Sequence, residues 1–210
     1  MSNSPPPEPP RRNSARRPKR PDKAPKRDRD DWLDAAREVL IEEGADRVKV
    51  EPLAKRLGVT TGSFYHHFSN RKELLDGLLD HWERTNSEPL FRAVKAAGDG
   101  GLQQIDALFR MWLDETEYDP AYDRAVRAWA HSSIPVRESV RRVDDSRIDL
   151  LTAIYRRLGY DDLRAFIRAR IAYFHQVGYQ AMDIAESSEQ RRILYDLYCE
   201  ALIGPVTAAP

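Results

Sequence analysis

Cysteine is almost absent from this chain of 210 residues, whose only one is Cys199. A single cysteine cannot form a disulfide within the chain, which excludes a disulfide scaffold and predicts a reducing, cytoplasmic location. Cys199 lies in an apolar helical pattern, so we interpret it as a small core residue rather than a nucleophile. Long apolar runs are also missing. None approaches the roughly 18 residues of a membrane span, and the N-terminus lacks the apolar region of a signal peptide, so we expect neither membrane insertion nor secretion.

Catalytic motifs and strand patterns are missing as well. The chain contains no GxSxG, HExxH, GxGxxG or P-loop sequence, so we do not expect an enzyme. No segment alternates between apolar and polar residues as a half-buried strand does, whereas apolar residues recur at helical spacing from Trp32 onward. The pattern predicts an all-α protein. From Pro89 onward, helices are expected at about 88–97, 101–117, 119–131, 134–158, 160–184 and 188–203.

Charge is distributed unevenly, although the net charge is zero. Residues 1–29 carry ten Lys or Arg, three acidic residues and eight prolines, a net charge of +7, whereas the other residues carry a net charge of −7. Such a segment buries too little apolar surface to fold alone, so we predict a disordered basic tail over 1–29. It is either a solubilising leader or a flexible arm that follows nucleic-acid phosphates.

The apolar spacing in the segment after the tail predicts several short helices, which together indicate a DNA-binding unit. The second and third of them, joined by a turn at Gly58, have the dimensions of a helix-turn-helix, in which the exposed half of the second helix of the motif enters the major groove. We expect the first helix to run from a cap at Asp30 or Asp31 to Gly44, and the second to span 50–57 and end at Gly58. The third should run from a cap at Thr60 to about Phe68, and the fourth should begin after a cap at Ser69 or Asn70.

Small hydroxyl residues and histidines crowd the start of the third helix, in the sequence GVTTGSFYHHF. His66 and His67 are adjacent and point about 100° apart on a helix, so they cannot chelate one metal ion well, and neither a metal nor a cofactor is predicted. Hydroxyl groups at a helix start can instead meet phosphates and base edges. The candidate DNA-contacting residues are Lys49, Thr60, Thr61, Gly62, Ser63, Tyr65, His66, His67, Arg71 and Lys72.

The stretch from about Trp32 to Leu79 resembles the TetR family of transcriptional regulators. Order, spacing and residue type agree with the family pattern over almost fifty residues. Phe64 stands where the family usually has leucine, and Arg71 where it usually has lysine, which leaves open whether Arg71 or Lys72 contacts a phosphate. The matching residues are Ala54, Leu57, Gly58, Val59, Thr60, Gly62, Ser63, Phe64, Tyr65, His66, His67, Phe68, Arg71, Leu74 and Leu75.

The resemblance implies a homodimer that binds a near-palindromic double-stranded DNA operator, most simply as a repressor that a small-molecule effector releases. It implies a DNA-binding domain over 30–80 and a helical ligand-binding and dimerisation domain over 81–210. For the ligand it indicates Phe109, Trp112, Tyr122, Trp129, His131 and His175. For the dimer interface it indicates two apolar helix faces with Ile167, Ile171, Phe174, Gly178, Leu194, Leu197, Tyr198 and Ala201.

Alternatives remain for each of these features. The two apolar faces could instead close the core of the monomer, and any single aromatic of the ligand set could be plain core. The helix-turn-helix could serve only as the scaffold of a helical protein–protein interaction module. A third, weaker interpretation is a ligand-binding relic of an enzyme.

Overall fold

The computed structural model describes residues 27–182, 184 and 186–205. These residues form ten helices and no β-strand, which confirms the all-α prediction. Most of the predicted tail, residues 1–26, lies outside the described part. The helices are α1 (Arg29–Glu43), α2 (Val50–Leu57), α3 (Thr61–Phe64), α4 (Arg71–Asn86), α5 (Glu88–Ala96), α6 (Gly101–Asp114), α7 (Pro120–Ala130), α8 (Ile134–Arg157), α9 (Asp162–Ala181) and α10 (Ser188–Ile203).

Helix α1 is capped by Asp28, two or three residues before the predicted cap. The Asp28 carboxylate accepts from the Asp31 amide at 2.9 Å, and the Asp31 carboxylate accepts from the Asp28 amide at 2.8 Å. This reciprocal capping box needs a carboxylate at the capping position itself, which neither Asp30 nor Asp31 occupies. Arg29 then lies over the ring of Phe68, 4.8 Å from its centroid. Residues 27–29 thus pack on the folded unit, although the sequence assigned them to the tail.

The helices α1 to α4 share a core that continues into the body. Trp32, Phe64, Phe68 and Trp82 are fully or almost fully buried in it. The same cluster includes Tyr122 of α7 and residues at the start of α8, so no gap in packing separates the two units. Helix α4 also crosses the predicted boundary at residue 80. The first four helices and the body therefore pack as one continuous core.

A buried network of charged and polar groups joins four helices of the body. Arg147 of α8 donates to the Asp123 carboxylate of α7 at 3.1 Å and to the main-chain carbonyl of Asn86 at the end of α4. Trp82 of α4 donates to the same carboxylate at 3.1 Å, and the Tyr173 hydroxyl of α9 lies 3.4 Å from Arg147. Burial raises the pKa of Asp123, but the charges of Arg147 and Arg127 outweigh burial and hold that pKa below its ordinary value.

The last two long helices leave apolar surface uncovered. Helix α10 has no residue that is fully buried, and it packs against α6 and α9 through half-buried side chains such as Tyr195, Cys199 and Leu202. None of the described helices has both the length and the apolar character that crossing a bilayer demands.

Candidate nucleic-acid interface and ligand cavity

The turn between α2 and α3 forms because Gly58 takes a left-handed conformation, with φ of +69°. Only glycine adopts this conformation without steric cost. The Gly58 and Val59 amides donate back to the carbonyls of Lys55 at 3.2 Å and Ala54 at 3.0 Å, which satisfies the free end of α2. The predicted helix over 50–57 and its glycine stop are both confirmed.

Helix α3 is shorter than the sequence predicted, with one helical turn at Thr61–Phe64 followed by turns to His67. Thr60 occupies the capping position, but its hydroxyl makes no capping hydrogen bond. The prediction of a side-chain cap is wrong because the Ser63 amide, which a cap would bind, donates to the main-chain carbonyl of Thr60 at 3.0 Å. The Thr60 side chain is exposed.

Two phenylalanines anchor this segment and fix which side chains face outward. The ring of Phe64 lies edge-on to Trp32 at 5.3 Å and stacks on Phe68, also at 5.3 Å. The Tyr65 ring meets the Phe64 ring edge-on at 5.2 Å, but its side chain is 63% exposed. Among the other candidates, Thr60, Thr61, Gly62 and His66 are exposed and Ser63 and His67 are half-buried, so one edge presents hydroxyl, imidazole and phenol groups.

Gly62 lies on this edge with open space around it. A Cβ added there would meet only the Thr60 hydroxyl, at 3.6 Å, so the fold itself does not require glycine. A backbone free of side-chain atoms is useful where another molecule must approach closely. This observation agrees with the expectation that Gly62 faces DNA.

His67 is engaged within the protein. Its Nε2 lies 3.0 Å from the main-chain oxygen of Arg27, and because a carbonyl can only accept, the ring carries its proton on Nε2. The contact holds the chain entering α1 against α3. His67 therefore supports the turn, whereas the neighbouring His66 is exposed and makes no such contact in the described chain.

The three candidate cations near this edge differ in what they bind. Arg71 donates from Nε to the Val48 carbonyl and from Nη2 to the Ala45 carbonyl, both at 2.6 Å, and thus ties α4 to the chain before α2. Lys72 is largely exposed, and within the described part of the chain it pairs with Asp76, one helical turn away, at 2.6 Å. Lys49 is exposed at the start of α2. Lys72 and Lys49 are therefore the cations that phosphates can reach most easily.

A cavity that opens to solvent lies between α6, α9 and α10, with a volume of about 80 Å³. It brings together three of the six predicted ligand residues. Phe109 and Trp112 of α6 stack at 5.6 Å, and His175 of α9 lies opposite α10, its ring 5.0 Å from that of Tyr198. Burial lowers the pKa of His175, which favours the neutral imidazole.

The other three predicted ligand residues do not reach this cavity. Tyr122 is fully buried, and its hydroxyl donates to the Leu78 carbonyl at 2.7 Å, so it belongs to the core between α4 and α7. Trp129 packs against the core of the DNA-binding unit, and His131 is exposed at the end of α7. The family resemblance grouped them with the cavity residues, but the apolar face of α7 packs on α1, α4 and α8.

Ten of the thirteen described lining residues were absent from the predicted ligand set, and two of these ten carry unpartnered donors. Gln176 of α9 is buried, and its Nε2 has no hydrogen-bond partner among the described residues. Arg191 of α10 pairs with Glu115 through Nη1 at 2.6 Å, but its Nε is also buried without a partner. In the sequence, Gln176 directly follows the candidate ligand residue His175, and this position indicated that Gln176 could line the cavity. For Arg191, only the fold shows that it points inward.

The predicted dimer residues lie mostly on open surface. Ile167, Ile171 and Phe174 form an exposed stripe along α9, and a Cβ added at Gly178 would meet nothing within 4 Å. On α10, Leu197 and Ala201 are exposed and Leu194 is half-buried, whereas Tyr198 turns partly toward the cavity. The stripe therefore does not close the core of the monomer, and that alternative is wrong for α9.

Residues 33–78 match the model of a family described as bacterial regulatory proteins, tetR family. The nucleoid occlusion factor SlmA of Aliivibrio fischeri is 30% identical over 103 residues, which are 49% of this chain and 52% of that protein. The Transposon Tn10 TetC protein of Escherichia coli is 27% identical over 82 residues, 39% of this chain and 41% of that protein. The chain spans about half the length, or less, of these curated relatives.

Solved structures extend the similarity to the body. A TetR-family transcriptional regulator from Streptomyces coelicolor superposes with a TM-score of 0.69 at 20% identity, over 86% of this chain and 96% of that one. The ketosteroid transcriptional regulator KstR2 of Mycobacterium tuberculosis gives a TM-score of 0.63 at 18% identity, over 89% of this chain and all of that one. At such identities the likeness establishes the shared fold. The matched family consists of regulators and not of enzymes.

Proposed function

We propose that this chain, whose residues 33–78 match the model of the tetR family of bacterial regulatory proteins, is a homodimeric repressor that a small molecule releases from a near-palindromic operator. The observation that carries the proposal is the pairing of two open surfaces on one chain. One is the hydroxyl-rich edge of α3, and the other is the apolar stripe of α9 and α10. The first suits a DNA groove and the second suits another protein surface. Cytoplasmic location is part of the same proposal.

The edge of α3 supports DNA contact through its shape and its rigid base. The buried rings of Phe64 and Phe68 hold α3 on the core, so Tyr65 and its neighbours keep fixed positions. A single helical turn fits within the major groove, which is about 12 Å wide. Thr61 and Ser63 can donate to base edges or phosphates there, while Tyr65 reaches a phosphate and Lys72 adds a positive charge. These roles define the proposed contact surface.

The apolar stripe supports the homodimer. Ile171 and Phe174 lie on the same face of α9, and they are 54% and 51% exposed although both side chains are large and apolar. Large apolar side chains that line up on a surface mark an interaction site. A twofold axis through this stripe would place one copy of α3 on each subunit of the dimer. Dimers of this kind recognise two DNA half-sites about one turn of the DNA helix, roughly 34–36 Å, apart.

The cavity supports a response to a ligand. Helix α10 forms one wall of the cavity and also carries part of the apolar stripe, so a ligand that moves α10 changes the stripe. If the ligand weakens DNA binding, DNA must weaken ligand binding by the same factor. The body is joined to α4 through the Arg147 and Asp123 network, which gives the change a route to the DNA-binding unit.

An electrophoretic mobility shift with the DNA upstream of the coding sequence tests the proposal, together with light scattering of the free protein. We expect a shift at nanomolar protein, a solution mass of two chains, and a footprint with twofold symmetry. A protein that is dimeric but binds no DNA under any salt condition would favour the interaction-module alternative. A monomer that binds single half-sites would contradict the homodimer.

A further inference from the structure

The cavity between α6, α9 and α10 has walls of unusual chemistry for its size. Its described lining is mostly aromatic and aliphatic, with the stacked pair Phe109 and Trp112 on one side. Two nitrogen donors nevertheless lie in this wall without a partner among the described residues, Gln176 Nε2 and Arg191 Nε. A buried donor without an acceptor costs free energy, and such groups are rare in folded proteins. An acceptor supplied by a ligand would remove that cost.

The charges on the wall decide what kind of acceptor fits. Among the described lining residues Arg191 is the one cation, and its Nη1 is already paired with Glu115 at 2.6 Å. Glu186 also lines the cavity and accepts from the Tyr179 hydroxyl at 2.8 Å. A carboxylate entering here would meet no unpaired positive charge and would lose its hydration. A neutral oxygen acceptor avoids that penalty.

The size and shape of the cavity limit the rest of the molecule. The volume of about 80 Å³ is small beside the roughly 300–1,000 Å³ pockets of drug-sized ligands, so the part of a ligand that enters it is one ring or a short chain. The stacked rings of Phe109 and Trp112 offer a flat apolar wall, which suits an aromatic ring packed against it or edge-on to it.

We propose that this cavity binds a small, uncharged aromatic carbonyl compound, whose oxygen accepts from Gln176 Nε2 and Arg191 Nε. The inference rests on the proposed function in that the compound would be the effector. Binding itself requires neither DNA nor release from it. Gln176 is the residue that selects for the carbonyl, while Phe109 and Trp112 bind the ring.

Three probes of nearly equal shape separate the contributions: acetophenone, benzoate and ethylbenzene. Their dissociation constants are measured on the full chain without DNA, by ligand-detected NMR and by thermal shift. We expect acetophenone to bind about ten- to thirty-fold more tightly than ethylbenzene, the effect of two net hydrogen bonds, and more tightly than benzoate. Equal binding of acetophenone and ethylbenzene, tightest binding of benzoate, or no binding by any probe would overturn the proposal.

The variant Gln176→Met keeps the size of the side chain and removes the donor. It should reduce the preference for acetophenone over ethylbenzene to about five-fold, the effect of the remaining Arg191 donor, while leaving ethylbenzene binding unchanged. Gln190→Met, on the exposed start of α10, should behave as the wild type. Persistence of the full preference in Gln176→Met would overturn the role of Gln176. The probe comparison on the wild type stands even if the variant does not fold. A mobility-shift assay in parallel tests the effector role. If acetophenone binds but does not release the protein from DNA, the proposed binding site stands and its role as the effector site is wrong.

Discussion

The guanidinium of Arg71, at the start of α4, donates from Nε to the main-chain carbonyl of Val48 across 2.6 Å. Its Nη2 donates to the Ala45 carbonyl at the same distance. The side chain therefore bridges the end of the DNA-binding unit to the turn before α2. This contact assigns different tasks to the two adjacent cations that the sequence left as alternatives. Arg71 holds the unit together, and Lys72 is available to DNA.

Separate substitutions of these cations should affect different properties. Arg71→Met leaves two carbonyls without their charged donor, and we expect a loss of about 1–3 kcal/mol in the free energy of unfolding. Lys72→Met removes only an exposed ion pair, so stability should change by less than about 1 kcal/mol while DNA binding weakens. Chemical denaturation and fluorescence anisotropy measure the two effects. If Lys72→Met leaves both properties unchanged, Lys72 does not contact a phosphate.

The apolar stripe predicts how the dimer can be broken. Ile171→Glu places a charge at a position that is 54% exposed in the single chain. The variant should fold normally but should be monomeric by light scattering, because burying an unpaired carboxylate in an interface is costly. Ile134→Glu is the matched control, since Ile134 is 65% exposed at the start of α8, away from the stripe. If Ile171→Glu remains dimeric, the interface lies elsewhere.

The buried pair of Asp123 and Arg147 predicts a dependence of stability on acid. The pKa of Asp123 is below its ordinary value in the folded chain, because the charges of the two arginines outweigh burial. The stability it contributes is therefore present above the unfolded pKa of about 3.9 and is lost as the pH falls through the lower folded pKa. Asp123→Asn should cost about 3–5 kcal/mol at neutral pH and should flatten the acid limb of the stability curve.

The exposed pair of Asp76 and Lys72 provides the control for this prediction. Asp76→Asn should lower the free energy of unfolding by less than about 1 kcal/mol at neutral pH, because the side chains of Asp76 and Lys72 are both largely exposed to water. Urea denaturation over a pH series measures both variants. An Asp123→Asn protein as stable as Asp76→Asn would mean that the buried network contributes nothing net to folding.

The basic tail predicts a salt effect on operator binding. Residues 1–26 contain eight Lys or Arg and two acidic residues, and the described fold begins to pack at 27–29. Deletion of 1–26 should weaken operator binding and reduce the slope of log affinity against log salt by about 0.9 for each lost phosphate contact. An unchanged slope after the deletion would identify the tail as a solubilising leader and remove it from the DNA-binding surface.

Local rules were sufficient to predict the DNA-binding unit from the sequence. The helix over 50–57, the Gly58 stop and a cap at Ser69 or Asn70 each depend on residues close together in the chain. The structure confirms the first two and places the cap at Asn70. The Thr60 cap failed because a competing main-chain hydrogen bond was equally local but invisible in the sequence. The dimer and DNA contacts stay predictions, because they require a second molecule.

The body was harder to predict because its site depends on how helices face one another. Apolar spacing located α7, but it could not indicate that Tyr122 faces α4 and not the cavity. The buried network had a readable signal that was overlooked: Arg147 falls in the apolar series of Val140, Val143 and Leu151 on α8. A charged residue at such a position demands partners. Identifying Asp123 as the partner required the fold.

The most direct test of the central claim is the operator affinity of the double variant Ser63→Ala with Tyr65→Ala. Both side chains lie on the proposed reading edge, and neither is part of the buried core, so the dimer and its thermal stability should be retained. Fluorescence anisotropy with a labelled upstream DNA duplex should show a loss of specific binding for the folded, dimeric variant. If that variant binds the operator as tightly as the wild type, α3 does not read the DNA and the proposed mechanism is wrong.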